Sequence, residues 1–339
     1  MDQERMVALC PVTMSSKDDF LFHCQLRAIA HNILLSKLTP QQAAGRDELP
    51  FTPDQLRQQF QYYPALLARS ESIVTGSSFT FDFTAPKNKR IFGASRYEDT
   101  LQLRTLALRG LERRYGKGHQ EALQRVEKEL AIIEQLDFGA YFLITEDMVR
   151  YATTNGYPHV GRGSGANSIV AYCLGITNVC PIELNLYFER FLNPGRKTPP
   201  DFDIDFSHLH RENIFKYLFT RYGSEHTAML GTCSTFKDRS TLREFAKIYG
   251  LDKSLIDRLI SSPGELLSLN IPEVGKILRA FDRVPPDFPN QRSVHAGGVL
   301  ISELPVNYYT ACDLPLWAFG LHTLICTPQK RQDSKSWMY

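Results

Sequence analysis

No apolar run in the 339-residue chain approaches the roughly 18 to 20 residues that span a bilayer. The short stretch from Val7 to Cys10 has neither a basic leader before it nor a cleavage site after it, so it does not read as a secretory signal. Low-complexity tracts are absent, and 21 Gly with 19 Pro is an ordinary share, which excludes collagen-like and disordered classes. The seven cysteines (Cys10, Cys24, Cys173, Cys180, Cys233, Cys312 and Cys326) form no C-x-x-C pair and are odd in number. They read as free thiols of a reducing compartment, and the expected location is cytoplasmic. An excess of one charge sign is also missing: 39 Lys and Arg against 37 Asp and Glu leave +2, which by itself argues for no partner.

What is present is a chain long enough for about two domains at roughly 100 to 200 residues each. A helical pattern runs from Lys17 to Leu38 with Phe22, Leu26, Ile29 and Ile33 on one face. Before it, Val7, Ala8 and Leu9 read as a terminal strand, and the abrupt beginning suggests an N-terminal truncation. A helix is expected over Thr52 to Ser70, divided or kinked at Pro64, and a β-prone stretch over Ser77 to Phe83. Glu121 to Leu136 is the clearest helix, with Leu123, Val126, Leu130 and Ile133 at helical spacing. Lys87, Lys89, Arg90, Arg96, Arg104, Arg109, Arg113, Arg114 and Lys117 form a locally basic stretch. It suits either a phosphate backbone or a solvated helix face.

The densest chemistry lies between Val160 and Phe206. Gly161 to Ala166 (GRGSGA) is a glycine-rich turn entered from the apolar Tyr157 to Val160 and followed by a helical Ser168 to Leu174. Such a turn at a helix N-terminus offers amides to an anion, although its spacing is neither Walker nor Rossmann. Downstream, Pro199 and Pro200 launch Asp201 to Phe206 (DFDIDF), whose strict alternation puts three aspartates on one face of a strand and three apolar residues on the other. Aspartate is a poor strand former and like charges on one face repel, so a cation must offset them. Hard carboxylate oxygens suit Mg²⁺. With Arg162, Arg190, Arg196 and Lys197 between them, these parts read as a metal-dependent phosphoryl- or nucleotidyl-transfer site, for which two ions would activate a hydroxyl and stabilise the leaving pyrophosphate.

Gly161 to Ala166, Glu189 to Pro194 (ERFLNP) and Pro200 to Phe206 together resemble the palm of the bacterial C-family polymerase, the DNA polymerase III alpha subunit. Leu35 to Leu38, Phe138 to Ile144, Gly231-Thr232 with Arg239 and Arg243, and Ser293 to Gly298 stand in that family's order, from about residue 5 to about residue 313. The resemblance implies an α+β fold: a polymerase-beta-like nucleotidyltransferase palm with a helical thumb inserted. Asp201 and Asp203 would be catalytic and hold metal, two Mg²⁺ in the intact enzyme, with Asp205 an accessory carboxylate. Arg162, Gly163 and Ser164 would sit at the incoming triphosphate, with Arg190 nearby and Arg196 and Lys197 as further nucleotide-binding cations. Primer-template DNA and dNTPs are the implied partners, and the full-length parent would also meet a sliding clamp and other replisome subunits. The expected division is a tail of a PHP-like phosphoesterase domain at 1–45, palm at 46–232, thumb at 233–290, a return to the palm at 291–314, and an aberrant tail at 315–339.

Two departures from the family pattern stand out. Its third aspartate lies in a K-x-D-x-L-G segment that is absent here, Asp333 sitting instead in a polar Arg-Gln-Asp-Ser-Lys run, and the fingers are missing. Little or no polymerisation is expected of the chain alone. One choice of codons for His322 to Lys330, read two bases later, encodes a segment like the family's own, so a frameshift after about residue 314 is the expected origin of the tail. Two other classes compete. A metal-dependent phosphoesterase is disfavoured because His208 and His210 flank the strand without an H-x-D constellation, and both are expected on the surface. A non-catalytic DNA-binding or interaction fragment is supported by the missing carboxylate.

Overall fold

Caps or prolines set the start of several helices in this chain, among them those that begin at Pro53, Pro64, Arg96 and Pro272. The computed structural model describes residues 6–78, 80–193, 195, 201–268, 271–310, 312–313 and 325–326. In chain order its helices are α1 (Phe20–His31), α2 (Pro53–Gln59), α3 (Pro64–Gly76), α4 (Arg96–Tyr115), α5 (Gln120–Gln135), α6 (Gly139–Thr154), α7 (Ile169–Leu174), α8 (Arg211–Tyr222), α9 (Asp238–Ile248), α10 (Lys253–Ser261), α11 (Pro263–Ser268) and α12 (Pro272–Asp282). The strands are β1 (His159–Arg162), β2 (Asp203–Phe206), β3 (Thr227–Thr235), β4 (Pro289–Ile301), β5 (Cys312–Asp313) and β6 (Ile325–Cys326). Mixed helix and small sheets agree with the expected α+β class. Among the described residues no helix is long and apolar enough to cross a membrane.

Two compact units divide the chain, Met1–Asp82 with Cys233–Arg292, and Phe83–Thr232 with Ser293–Tyr339. The first is built on α1, α9, α10 and α12, whose buried Ala28, Phe245, Leu259 and Ile277 share one core. Phe22 of α1 stacks on Phe245 at 6.3 Å, and Asn32 closes α1 in the left-handed conformation at φ 51°. Pro64 divides the expected 52–70 helix. Thr52 caps α2, and the proline itself opens α3, where its missing N–H goes unneeded. The expected strand at Val7 to Leu9 does not form. A strand needs a ladder partner, but here the Ala8 N–H donates to the Ser70 hydroxyl of α3 at 2.9 Å. Nor do the described residues of 77–83 form a strand.

In the second unit α4, α5, α6 and α7 enclose a core of Leu103, Val126, Ile133, Phe142, Ile169 and Phe191. Ser95 caps α4, and Gly116 ends it at φ 77°. Gly110 lies where a Cβ would overlap the Cys173 carbonyl, so its hydrogen sets how closely α4 crosses α7. A two-stranded antiparallel sheet, β1 with β2, packs Ile204 on this core and Phe206 on a second cluster with Ala152, Ile214 and Leu218. A second sheet has the order β4-β3-β6-β5, with β3 and β6 parallel and β5 antiparallel to β6. The tail expected to be aberrant, 315–339, lies outside the described residues except for β6.

Candidate active site

The register of β1 on β2 assembles the site. His159 faces Phe206, Val160 faces Asp205, Gly161 faces Ile204 and Arg162 faces Asp203. Directly opposed residues share a sheet face, so Arg162 lies on the face of the aspartates while Gly161 and Ile204 turn inward. The burial of β2 alternates as expected, Asp203 and Asp205 exposed and Ile204 and Phe206 half-buried.

The strand is shorter than the alternation predicts. It spans Asp203–Phe206, so Asp201 and Phe202 precede it and Asp201 is not a third outward position of the ladder. The reason lies across the sheet, because β1 ends at Arg162 where Gly163 turns away at φ 74° and leaves no ladder partner further on. The Phe202 N–H donates instead to the Tyr141 hydroxyl of α6 at 2.7 Å. The Phe202 ring is held by Tyr141 at 5.2 Å, Phe142 at 5.1 Å and Phe191 at 4.9 Å, which fixes the backbone between Asp201 and Asp203.

Part of the positive charge demanded by the aspartates is supplied by the chain itself. Arg162 donates from Nε to Asp205 at 2.7 Å, and its Nη1 lies 3.8 Å from Asp203. The Asp205 hydrogen bond, followed by the charges of Asp205 and Asp203, pushes the guanidinium further toward its protonated form. Gly163 is required by space as well as by its positive φ. A Cβ there would stand 2.7 Å from Asp203 Oδ2. The turn Gly163–Asn167 is a short 3₁₀ helix, packed against a second one, Phe188–Arg190, that ends on the exposed Arg190. Ser164 is half-buried, and its carbonyl accepts from the Asn167 amide at 2.8 Å. Arg196 and Lys197 lie outside the described residues.

Sequence reasoning missed what stands behind this turn. Glu129 of α5 is fully buried, and its Oε2 accepts from the Ser168 hydroxyl at 2.8 Å and the Val170 N–H at 3.2 Å. The first turn of α7 therefore spends its amides on an internal carboxylate, and the part of the motif left to face a ligand is the 163–167 turn before it. Burial pushes the Glu129 carboxyl up to about 7, against the opposing pull of these hydrogen bonds and of Arg125. Arg125, one turn earlier on α5, donates to Glu129 at 3.3 Å, to the Asn167 carbonyl at 2.9 Å and to the Pro181 carbonyl at 3.4 Å. The available signal was a glutamate inside the apolar stripe of Val126, Leu130 and Ile133.

Five cations of the basic stretch are engaged elsewhere. Arg90 and Arg96 pair with Asp137, Arg104 with Glu127, while Arg113 and Arg114 donate to the carbonyls of Cys173 and Tyr172. Much of the basic stretch is thus spent inside the unit. A cavity of about 140 Å³ beside it, lined by Arg90, Arg96, Asp99, Arg104, Glu127 and Asp137, contains these paired groups. His208 is exposed, whereas His210 is half-buried and stacks on Tyr157 at 4.3 Å. Asp147, missed entirely, is buried under the hydroxyls of Tyr217 at 2.7 Å and Tyr222 at 2.9 Å and pairs with Arg150, tying α6 to α8.

Among the described residues no group of three or more His, Cys, Asp or Glu is gathered at metal-binding distance. The donor set itself suits a hard divalent ion. Asp203 and Asp205 are exposed carboxylates, half or more of each side chain open to solvent, with only oxygen donors to offer and a displaceable guanidinium as present counter-charge.

The comparisons with known proteins agree with this frame. The chain belongs to the family of the bacterial DNA polymerase III alpha NTPase domain, whose pattern matches residues 101–315. It is 37% identical over 262 residues to an error-prone DNA polymerase of Pseudomonas syringae pv. tomato, covering 73% of this chain and 25% of that one. It is 32% identical over 331 residues to an error-prone DNA polymerase of Mesorhizobium japonicum, covering 88% of this chain and 29% of the relative. A third relative, from Hahella chejuensis and of the same name, is 38% identical over 218 residues, covering 60% of this chain and 21% of its own. The chain thus spans between a fifth and a third of the length of these relatives.

Proposed function

We propose that residues 46–232 with 291–314 are the nucleotidyl-transfer palm of a template-directed DNA polymerase, with residues 233–290 as its helical thumb. The observation that carries this reading is the β1–β2 register, which sets the glycine turn against the carboxylate strand, with Gly163 beside Asp203 and Arg162 bridging Asp203 and Asp205. Nucleotidyl transfer from a dNTP to a primer 3′-hydroxyl needs carboxylates and phosphate-binding groups side by side, and the family membership and the names of the relatives favour DNA synthesis over other phosphate chemistry. The relatives' names also favour an error-prone polymerase over the main replicase.

In this reading Asp201 and Asp203 hold Mg²⁺ and Asp205 is the accessory carboxylate. Bound Mg²⁺ supplies Lewis acidity that activates the attacking hydroxyl and neutralises the leaving pyrophosphate. The chain's own residues do the positioning. Tyr141 fixes the backbone between the two aspartates, the 163–167 turn with Ser164 receives the triphosphate, and Arg162, Arg190, Arg196 and Lys197 meet its charge. Arg162 then exchanges its present carboxylate partners for phosphate oxygens.

Calorimetric titration of the 339-residue chain with Mn²⁺ tests the reading. Wild type should show saturable uptake, and the double variant Asp201→Asn, Asp203→Asn should lose it while retaining its helical circular dichroism. Equal uptake by both proteins would refute the assignment.

A further inference from the structure

We propose that Arg125 and Glu129 of α5 are positioning residues that lock the 163–167 turn in the shape that receives a nucleoside triphosphate. This deepens the reading above and rests on it. Three glycines fall within the six residues 161–166, and glycine loses more backbone freedom on ordering than any other residue. A turn so composed is a poor receptor unless something outside it removes that freedom before the ligand arrives.

The restraint comes from one pair, the buried Glu129 and the partly exposed Arg125, and reaches the turn in steps. Arg125 holds the Asn167 carbonyl at 2.9 Å, and the Asn167 side chain holds the Ser164 carbonyl at 2.8 Å. Glu129 holds the Ser168 hydroxyl at 2.8 Å and the Val170 N–H at 3.2 Å, and Ser168 Oγ in turn accepts from the Ala171 N–H at 3.0 Å. The turn is thereby pinned at its C-terminal end from a single helix. At its other end the buried Thr177 hydroxyl donates to the Gly161 carbonyl at 3.2 Å.

The chemistry of the pair points the same way. Every group named on Glu129 is a donor: Arg125 Nε on one oxygen, the Ser168 hydroxyl and the Val170 amide on the other. Only a carboxylate accepts from all of them, because a glutamine would present its NH₂ to one donor. An ion pair built on a fully buried carboxylate adds little net stability compared with apolar packing of the same volume, so helix capping alone gives no reason for it here. Preorganising a phosphate-binding turn does.

The test uses the full chain at pH 8 with two probes, Mn²⁺ alone and Mn²⁺ with dATP, on wild type, Glu129→Gln and Arg125→Lys. Both variants should bind dATP at least fivefold more weakly while binding Mn²⁺ alone as wild type does. General damage to the fold would weaken both probes together and would overturn the inference. So would dATP affinity within twofold of wild type in both variants. Arg125→Lys keeps the charge but loses the planar fork, and it decides the question if Glu129→Gln does not fold. Absence of saturable dATP uptake by wild type refutes the reading of the turn, and this inference with it, whereas uptake that both variants preserve refutes the inference alone.

Discussion

A carboxyl group whose folded-state pKa is raised binds more protons folded than unfolded, so its contribution to stability is present at low pH and lost as pH rises. Glu129 is such a group, moved by burial from 4.5 to about 7. Its contribution is complete below 4.5 and gone above 7. Between pH 5 and pH 8 the linkage relation gives a loss of about 2.5 kcal/mol of folding stability. Burial, followed by the charge of Glu129, pushes the neighbouring Cys173 thiol up to about 12, outside this window. Urea denaturation of wild type and Glu129→Gln at pH 5, 6, 7 and 8 isolates the effect, because all other carboxylates and histidines are common to both. The wild-type curve should fall relative to the variant by about 2 to 3 kcal/mol across this range. Parallel curves would mean that Glu129 keeps an ordinary pKa and that its hydrogen bonds from Ser168 and Val170 and the charge of Arg125 outweigh its burial.

Gly163→Ala places a side chain at φ 74°, where an L-residue costs about 1–2 kcal/mol, and drives its Cβ to 2.7 Å from Asp203 Oδ2. Chemical denaturation should show that loss, and calorimetry should show weaker Mn²⁺ uptake, since the carboxylate must move; unchanged uptake would detach Asp203 from the metal. Gly110→Ala forces a methyl into the Cys173 carbonyl between α4 and α7 and should destabilise by about 1–3 kcal/mol, lowering the melting temperature of the unit by several degrees. A melting temperature equal to wild type would show that α4 and α7 separate freely.

The parts of the site that were legible in the sequence are local ones. Period-2 alternation reports side-chain faces within a single strand, and the facing of Asp203 and Asp205 away from Ile204 and Phe206 follows from it. Glycine density reports a turn for the same local reason. The end of β2 depends on its partner, and nothing in Asp201 to Phe206 reveals that β1 stops at Arg162. Val7 to Leu9 shows the converse, since apolar composition alone carries no information on whether a sheet edge or a helix waits beside it. Glu129 was visible as an irregularity in the apolar face of α5, but its partners Ser168 and Val170 lie 39 and 41 residues further on. A helical glutamate more often reaches out to water, and only the tertiary contacts show that this one turns inward.

A strand of alternating aspartates is a local conflict, because each acidic side chain disfavours both the strand and its neighbours. The cross-strand arginine answers part of it. Among the described residues only Arg162 pairs with these carboxylates, so Asp201, Asp203 and Asp205 with Arg162 sum to a charge of −2, which one divalent cation would balance. One divalent cation in place of Arg162 would leave these carboxylates a single net negative charge and two would more than offset them, so under the proposed reading the guanidinium, on the residue just before the turn, would be released toward a phosphate as the ions bind. Under the proposed reading the same arginine would serve two opposite partners in succession. A lysine would serve less well in both states, having one point charge where the fork reaches Asp205 through Nε and approaches Asp203 through Nη1.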